Sequence, residues 1–199
     1  MDDKLYSEII SKYMTSSHYK NPMKVFTRLL INSLFASTTN AFVWFSVTFW
    51  VFLETRSVLA TSYIAGIYTV ANMCSAFFFG SVVDHHRKKS VMIASSAFSL
   101  LFYGLACITY FSQDSTIFQD PSSPILWLFV IFLMLGSVMG NMRNIALSTT
   151  VTLLFEEDKR DKANGMIGTV NGVSFAITSI ASGLIIGFLG MQWAILISF

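Results

Sequence analysis

Charged residues are scarce in this sequence, and their scarcity excludes most classes of soluble protein. Asp, Glu, Lys and Arg make up 12% of the 199 residues, whereas an ordinary globular domain carries about 25%. Hydrophobic residues account for 54%, and the mean hydropathy is +0.61. A chain with so few charges lacks the polar surface that a soluble domain needs, so the sequence predicts a surface that faces lipid.

The residues and motifs of common catalytic and metal sites are also missing. The two cysteines, Cys74 and Cys107, lie in apolar stretches of different segments, which disfavours a disulfide framework. His18, His85 and His86 lack the spacing of metal ligands. There is no HExxH motif, nucleophile elbow, P-loop or dinucleotide-binding turn. A net charge of +2 is too small for a nucleic-acid partner. We therefore expect no enzyme activity, no cofactor and no metal.

Long apolar stretches dominate what is present, and each is close to the roughly 20 residues that cross a bilayer core. We predict an all-α membrane protein, a transmembrane helix bundle with five complete spans and the start of a sixth. The first stretch is too long for a cleavable signal peptide. The spans are 29–53, 58–83, 91–111, 125–150, 163–189 and, incomplete, 192–199.

Residues 1–28 are mixed polar and are interpreted as a tail that precedes the bundle. Leu5, Ile9 and Tyr13 recur at helical spacing, so a short surface helix is the alternative.

Basic residues are concentrated in alternate connections, which predicts the orientation. Lys and Arg are retained on the cytoplasmic side of short loops. Nearly all of the 13 Lys and Arg residues lie in the tail, in the connection 84–90 or in the connection 156–162, whereas the connection 112–124 has none. The sequence therefore predicts a cytoplasmic amino terminus.

Polar side chains inside the first span lie on one face of its helix. They either hydrogen-bond neighbouring helices or line a cavity, and the sequence leaves both interpretations open. The face consists of Ser33, Ser37, Asn40, Trp44 and Thr48.

Arg143 is the only charged residue placed well inside a span. Such a charge costs about 2.5–3.5 kcal/mol on insertion scales, so it needs a compensating environment. It either extends to the cytoplasmic end or faces a cavity or a partner helix, and the neighbouring amides favour the second interpretation. The candidate substrate or cavity residues are Asn40, Trp44, Asn141, Arg143 and Asn171.

Three glycine pairs at four-residue spacing predict close helix packing. They are Gly136 with Gly140, Gly168 with Gly172, and Gly183 with Gly187.

The connection after the second span carries the most specific local motif, Gly80-Ser-Val-Val-Asp84-His-His-Arg87-Lys88-Lys89. From physics alone, its basic residues need do no more than set the orientation, although Asp84 could also form an easily broken contact between two packed halves. The motif resembles the signature loop of the major facilitator superfamily between its second and third helices. His85 stands where that signature usually has Arg, and Arg87 where it has Gly. The resemblance implies a gating loop made of Gly80, Asp84, Arg87, Lys88 and Lys89.

Further motifs resemble the drug-exporting branch of that superfamily that includes the macrolide efflux proteins. They are Trp50-Val-Phe, Thr55-Arg-Ser57, Met142-Arg143-Asn144-Ile-Ala146 and Lys162-Ala-Asn164-Gly165. The fifth span is similar to the antiporter signature, but Thr178-Ser179-Ile-Ala-Ser182-Gly183 lacks its proline and one glycine, which weakens the inference of proton antiport.

Over residues 26–199 the resemblance implies the amino-terminal half of a secondary transporter. It would export small amphipathic compounds by alternating access, coupled to an ion gradient, across a bacterial plasma membrane. The expected partners are a small-molecule substrate, the lipid bilayer, and a missing carboxy-terminal half or a second copy. We expect, in this order, a fragment, a truncated reading frame or a half that finds a partner. A non-transporting membrane scaffold or assembly protein is the alternative.

Overall fold

A computed structural model describes residues 22–198, and no strand occurs in that part of the chain. A short 3₁₀ helix, Ser115–Gln119, lies between the third and fourth α-helices. The six α-helices are α1 (Pro22–Thr55), α2 (Val58–His85), α3 (Lys88–Phe111), α4 (Pro124–Leu154), α5 (Glu157–Leu189) and α6 (Met191–Ser198).

The first five helices are long and apolar enough to cross a membrane. This confirms the all-α transmembrane bundle that the composition and the apolar stretches predict. α6 is eight residues long and follows directly on α5.

The helices extend past the predicted spans, and α1 and α5 extend furthest into polar sequence. α1 begins at Pro22, within the predicted tail, and α5 begins at Glu157, within the predicted charged connection. α4 continues to Leu154. An apolar stretch marks only the part of a helix that suits hydrocarbon. The helix itself can begin earlier, in polar sequence, where the residues of its first turn favour helix formation. Proline is suited to a first turn, and acidic residues there complement the helix dipole. The rest of the predicted tail, with Leu5, Ile9 and Tyr13, lies outside the described residues.

Two-residue connections reverse the chain between α1 and α2, between α2 and α3 and between α4 and α5, so these successive helices run antiparallel. Ser57 caps α2 by accepting a hydrogen bond from the Ala60 backbone N–H at 3.2 Å, next to Arg56 at φ +52°. Gly190, at φ +85°, turns α5 into α6, and its missing Cβ suits that left-handed backbone. The connections 86–87 and 155–156 lie at one end of the bundle, here named the basic end, and 56–57 and 112–123 at the opposite end.

Apolar clusters join the helices at both ends. At the basic end Phe26 of α1 packs edge-on against Phe155, with ring centroids 5.2 Å apart. At the opposite end the 3₁₀ helix inserts Phe118, which is 1% exposed, against Trp50 and Phe129. The aromatic rings close that end of the bundle.

α4 is the central helix. Half of its most apolar stretch is buried, compared with 11% for α2 and 22% for α5. A Cβ at Gly136 would collide with the Tyr103 ring of α3, so the glycine permits the close packing of α3 on α4. The close approach predicted for all three glycine pairs occurs only at Gly136 and Gly140 within residues 22–198. A Cβ at any glycine of the other two pairs would meet open space.

Candidate functional site

A polar cavity of about 260 Å³ lies between α1, α2, α4 and α5. No charged side chain lines it within the described residues. Four of the five predicted cavity residues do line it, namely Asn40, Trp44, Asn141 and Asn171. The remaining lining residues are Ser37, Ala41, Tyr68, Asn144, Ser174 and Phe175. We call this the asparagine cavity.

A chain of hydrogen bonds between uncharged groups runs through one wall of the asparagine cavity. The Tyr103 hydroxyl of α3 donates to Asn40 Oδ1 of α1 at 2.9 Å. Asn40 Nδ2 donates to the Ser137 carbonyl at 3.0 Å and to Asn141 Oδ1 of α4 at 3.3 Å. Asn141 Nδ2 in turn donates to Asn72 Oδ1 of α2. One continuous chain therefore connects four helices without using a charge.

Local packing explains why Asn40 reaches α4. A Cβ on Gly140 would lie 2.9 Å from Asn40 Oδ1, closer than side-chain carbons approach such an atom. The glycine next to Asn141 therefore creates the space in which the Asn40 amide lies.

Further hydrogen bonds tie α1 to α4 and α5 beside the cavity. Ser37 Oγ donates to Asn144 Oδ1 at 3.3 Å, and Thr38 Oγ1 donates to Ser174 Oγ at 3.1 Å.

Ser37 and Asn40 of the predicted polar face thus supply hydrogen bonds between helices, and with Trp44 they also line the cavity. Thr48 instead donates to the Trp44 carbonyl of its own helix, and the buried Ser33 hydroxyl has no partner among the described residues.

Two stacked aromatic rings form another wall of the cavity. Trp44 of α1 and Tyr68 of α2 have ring centroids 3.9 Å apart and ring planes at 17°. Neither residue is fully buried. A flat apolar group that enters the cavity can pack against these rings while its polar atoms meet the amides.

Arg143 does not line the asparagine cavity, but together with Asn40 it lines a neighbouring pocket of about 160 Å³ between α1, α3 and α4. Its Nη1 donates to Asn32 Oδ1 of α1, and its Nη2 donates to Ser96 Oγ and, at 3.3 Å, to the Met92 carbonyl of α3. The residue lies roughly 16 Å along the helix from the last residue of α4, given a rise of about 1.5 Å per residue. Arg143 thus contacts partner helices and opens on a second cavity at the basic end.

The predicted gating residues lie at the end of α2 and the start of α3. Gly80 has open space at its missing Cβ. Asp84 is exposed and, within residues 22–198, forms no hydrogen bond or salt bridge. Lys88 Nζ donates to the Val83 carbonyl and so closes the end of α2. Arg87 and Lys89 are exposed. The contact expected of Asp84 is therefore not formed among the described residues.

Several residues of the site escaped the sequence interpretation. They are Asn32, Tyr68, Asn72, Ser96 and Tyr103, which bond or stack with the predicted residues. Asn72 could have been identified from the sequence, because an amide in an otherwise apolar span needs a hydrogen-bonding partner. Tyr68 and Tyr103 could not be identified in this way, since aromatic residues are common in membrane helices.

No group of three or more potential metal ligands occurs within the described part of the chain.

Comparison with known proteins places the chain in one family. Residues 29–199 match the family described as the Major Facilitator Superfamily. This match covers all five long helices except the first residues of α1. No curated protein and no solved structure matches the chain. The match spans well over half of the sequence and agrees with the bundle of membrane-spanning helices. The chain belongs to the major facilitator superfamily of multi-pass membrane transporters.

Proposed function

We propose that this chain is one half of a secondary transporter that binds small, uncharged amphipathic compounds in the asparagine cavity. The compound would be exported by alternating access, driven by an ion gradient. The observation that carries the proposal is the pairing of neutral amides with a stacked aromatic wall inside a bundle of membrane helices.

The lining of the cavity favours uncharged substrates. A charged compound would need a counter-ion to offset its loss of hydration, and the described lining contains none. Asn141 and Asn171 can exchange hydrogen bonds with a polar group, and Trp44 and Tyr68 offer apolar area. Small-molecule sites commonly combine apolar walls with a few placed polar groups.

The small volume of the asparagine cavity supports the proposal that a second bundle completes it. Its volume of about 260 Å³ falls below the roughly 300–1,000 Å³ of complete small-molecule pockets. α2 and α5, which border it, are the least buried of the long helices. A carboxy-terminal half, or a second copy, packed on these two helices would enlarge the cavity and cover their exposed apolar side chains.

Export and its coupling to an ion gradient are inferred from the resemblance and from the placement of charged residues. Similarity to the macrolide-efflux branch favours export from a bacterial cell, with the basic end in the cytoplasm. Asp84 is exposed there and is placed to pair with a basic group of the second bundle in one state of the transport cycle. The coupling ion would be bound outside the spans described here, because their interiors contain no Asp or Glu.

An efflux assay tests the proposal. The complete gene is expressed in a strain that lacks its main exporters, and intracellular accumulation of a neutral fluorescent amphiphile is measured. Trp44→Ala removes half of the stacked wall, and transport should fall about tenfold, which corresponds to about 1.4 kcal/mol of lost binding. The matched control Trp193→Ala changes a tryptophan that is 48% exposed and outside the cavity, and should transport normally.

A membrane scaffold is the second candidate, and the uncovered glycine pairs on α5 favour it. Gly168 and Gly172 offer close approach to another membrane helix, which assembly alone would also explain. Stable expression with no change in accumulation of any tested compound, by the wild type or by the Trp44 variant, would support the scaffold and contradict the transporter.

A further inference from the structure

The wall of the asparagine cavity changes from amide to aromatic along the helix axes. Three of the surrounding helices carry an asparagine and, four residues nearer the opposite end, an aromatic residue. These pairs are Asn40 with Trp44 on α1, Asn72 with Tyr68 on α2, and Asn171 with Phe175 on α5. Four residues of α-helix rise by about 6 Å. An amide layer therefore lies on the side of the basic end, and an aromatic layer lies one turn closer to the opposite end.

The two layers are independent of α6. That helix lines a different pocket together with Val43 and Ser46 of α1. Ser46 faces away from Trp44, because two residues of helix turn by about 200°. Within the described residues, α6 contributes nothing to the lining of the asparagine cavity. The layers are therefore built by α1, α2, α4 and α5 alone.

Two asparagines of the cavity keep hydrogen-bonding groups for a ligand. Asn40 and Asn141 already use both Oδ1 and Nδ2 in the chain of hydrogen bonds. Asn144 accepts at Oδ1 from Ser37, and its Nδ2 has no partner among the described residues. The Asn171 side chain is half-buried and has no partner within the same part of the chain. Asn144 thus offers donors, and Asn171 offers both donors and an acceptor, to the same cavity.

The aromatic layer provides the apolar half of the site. Phe175 is 57% exposed and meets Phe45 edge-on, with ring centroids 4.7 Å apart. The stacked rings of Trp44 and Tyr68 are only partly buried, so a further ring can pack on them. Aromatic pairs gain stabilisation beyond the area that they bury. A ligand ring in this layer would have its polar substituent about one turn closer to the basic end, at the unpaired amide groups.

We propose that the asparagine cavity selects neutral aromatic amides, with the ring in the aromatic layer and the amide bonded to Asn144 and Asn171. An amide presents a donor and an acceptor together, which matches the groups that these two asparagines keep. An ester of the same shape can only accept, and so leaves Asn171 Oδ1 without a donor. This inference rests on the proposed function and names the compounds that the transporter prefers.

A competition experiment on the purified product of the complete gene tests the selectivity. Fluorescence anisotropy follows displacement of the neutral fluorescent amphiphile by phenylacetamide, methyl phenylacetate or cyclohexylacetamide. All three competitors are uncharged. Methyl phenylacetate lacks the amide donor, and cyclohexylacetamide lacks the aromatic ring. Phenylacetamide should displace the amphiphile at a concentration about five- to tenfold lower than either of the others.

Two variants separate the two layers. Asn171→Leu should remove the preference for phenylacetamide over methyl phenylacetate and keep the preference over cyclohexylacetamide. Phe175→Leu should have the reverse effect. Asn164→Leu changes an exposed asparagine of the same helix outside the cavity, and this matched control should keep both preferences.

The results distinguish this inference from the proposed function. Both preferences in the wild type, each lost in its own variant and kept in the control, support the inference. Equal displacement by phenylacetamide and methyl phenylacetate, or a preference that survives in its own variant, would overturn it without affecting export of amphiphiles. Absence of amphiphile binding counts against the proposed function. Equilibrium dialysis of phenylacetamide and methyl phenylacetate with the wild type and Asn171→Leu then decides the selectivity directly.

Discussion

Individual amides, rather than ion pairs, connect the helices of this bundle. The described part of the chain contains one salt bridge, between exposed Lys159 and Glu156 in consecutive turns. The contacts deep between helices run instead through Asn40, Asn72 and Asn141. Neutral groups avoid most of the desolvation cost that a buried charge carries, and they still specify which helices meet.

Replacing Asn141 should weaken the bundle measurably. Asn141→Ala removes the hydrogen bonds to Asn40 and Asn72, and hydrogen bonds between membrane helices are worth about 0.6 kcal/mol each on average. We expect about 1 kcal/mol of destabilisation, which lowers the unfolding temperature by about 2–4 °C in detergent.

Asn164→Ala is the matched control for Asn141→Ala. Asn164 is an exposed amide on α5 outside the asparagine cavity, so its loss should leave the unfolding temperature within about 1 °C of the wild type. If the two variants unfolded at the same temperature, the amide chain would not stabilise the bundle.

Arg143 should depend on its forked shape as well as on its charge. Two of its nitrogens donate to different helices, to Asn32 of α1 and to Ser96 of α3, and a lysine ammonium cannot reproduce that geometry. At matched expression we expect transport to fall in Arg143→Lys and further in Arg143→Ala. Arg28→Ala, at an exposed position of α1, serves as control. Wild-type transport by Arg143→Ala would end the idea that this residue is needed.

The sequence is informative about single residues only where a residue is unusual for its surroundings. Arg143 and Asn141 stand out in an apolar span, and the sequence predicts functional residues there for that reason. Asn72, the partner of Asn141, is equally unusual for its span, although no role is predicted for it. The sequence cannot predict the roles of Tyr103 and Tyr68, because these depend on which helix faces they meet, and that requires the packing of whole helices.

At the scale of elements, hydropathy predicts the existence of the spans and their order but not the ends of the helices. The start of α5 shows why. Residues 157–162 are charged, so the sequence predicts a connection there, yet in the structure they form the first turns of α5. Hydropathy measures fitness for hydrocarbon, whereas helix formation depends on backbone hydrogen bonds that polar residues also permit. The sequence also does not show which glycine pair packs closely against another helix, because the three pairs look alike.

Gly136 should be intolerant of even a methyl group. A Cβ at this position would meet the Tyr103 ring, which is itself 5% exposed and therefore has little room to move. Gly136→Ala should destabilise the protein by about 1–3 kcal/mol, the usual cost of overpacking. Thermal unfolding in detergent measures the loss.

Gly172→Ala provides the matched control for Gly136→Ala. Gly172 lies in α5 with open space at its missing Cβ, and alanine forms helices better than glycine. The control should be as stable as the wild type or slightly more stable. Equal loss in both variants would mean that another bundle packs against Gly172. An unchanged unfolding temperature of Gly136→Ala would contradict the close packing of α3 on α4.

At the scale of the whole molecule, the bundle is closed at the end opposite the basic end and open on its sides. The aromatic rings around Phe118 close the opposite end, whereas α2 and α5 leave apolar side chains uncovered. A membrane bundle with an open polar cavity between its two least buried helices is suited to pairing with another bundle. Pairing across those two helices would place the asparagine cavity between two bundles, which is the position of substrate sites in alternating-access transporters.

The predicted orientation, with the basic end in the cytoplasm, can be measured on the intact molecule. In a background of Cys74→Ser with Cys107→Ala, a single cysteine is introduced at Glu157 on the basic end or at Gln113 on the opposite end, both exposed positions. A maleimide that cannot cross membranes should label intact cells at Gln113→Cys and not at Glu157→Cys, because Lys and Arg hold their end in the cytoplasm. Both cysteines should react after the cells are opened, which controls for accessibility. Labelling of Glu157→Cys in intact cells would reverse the assignment.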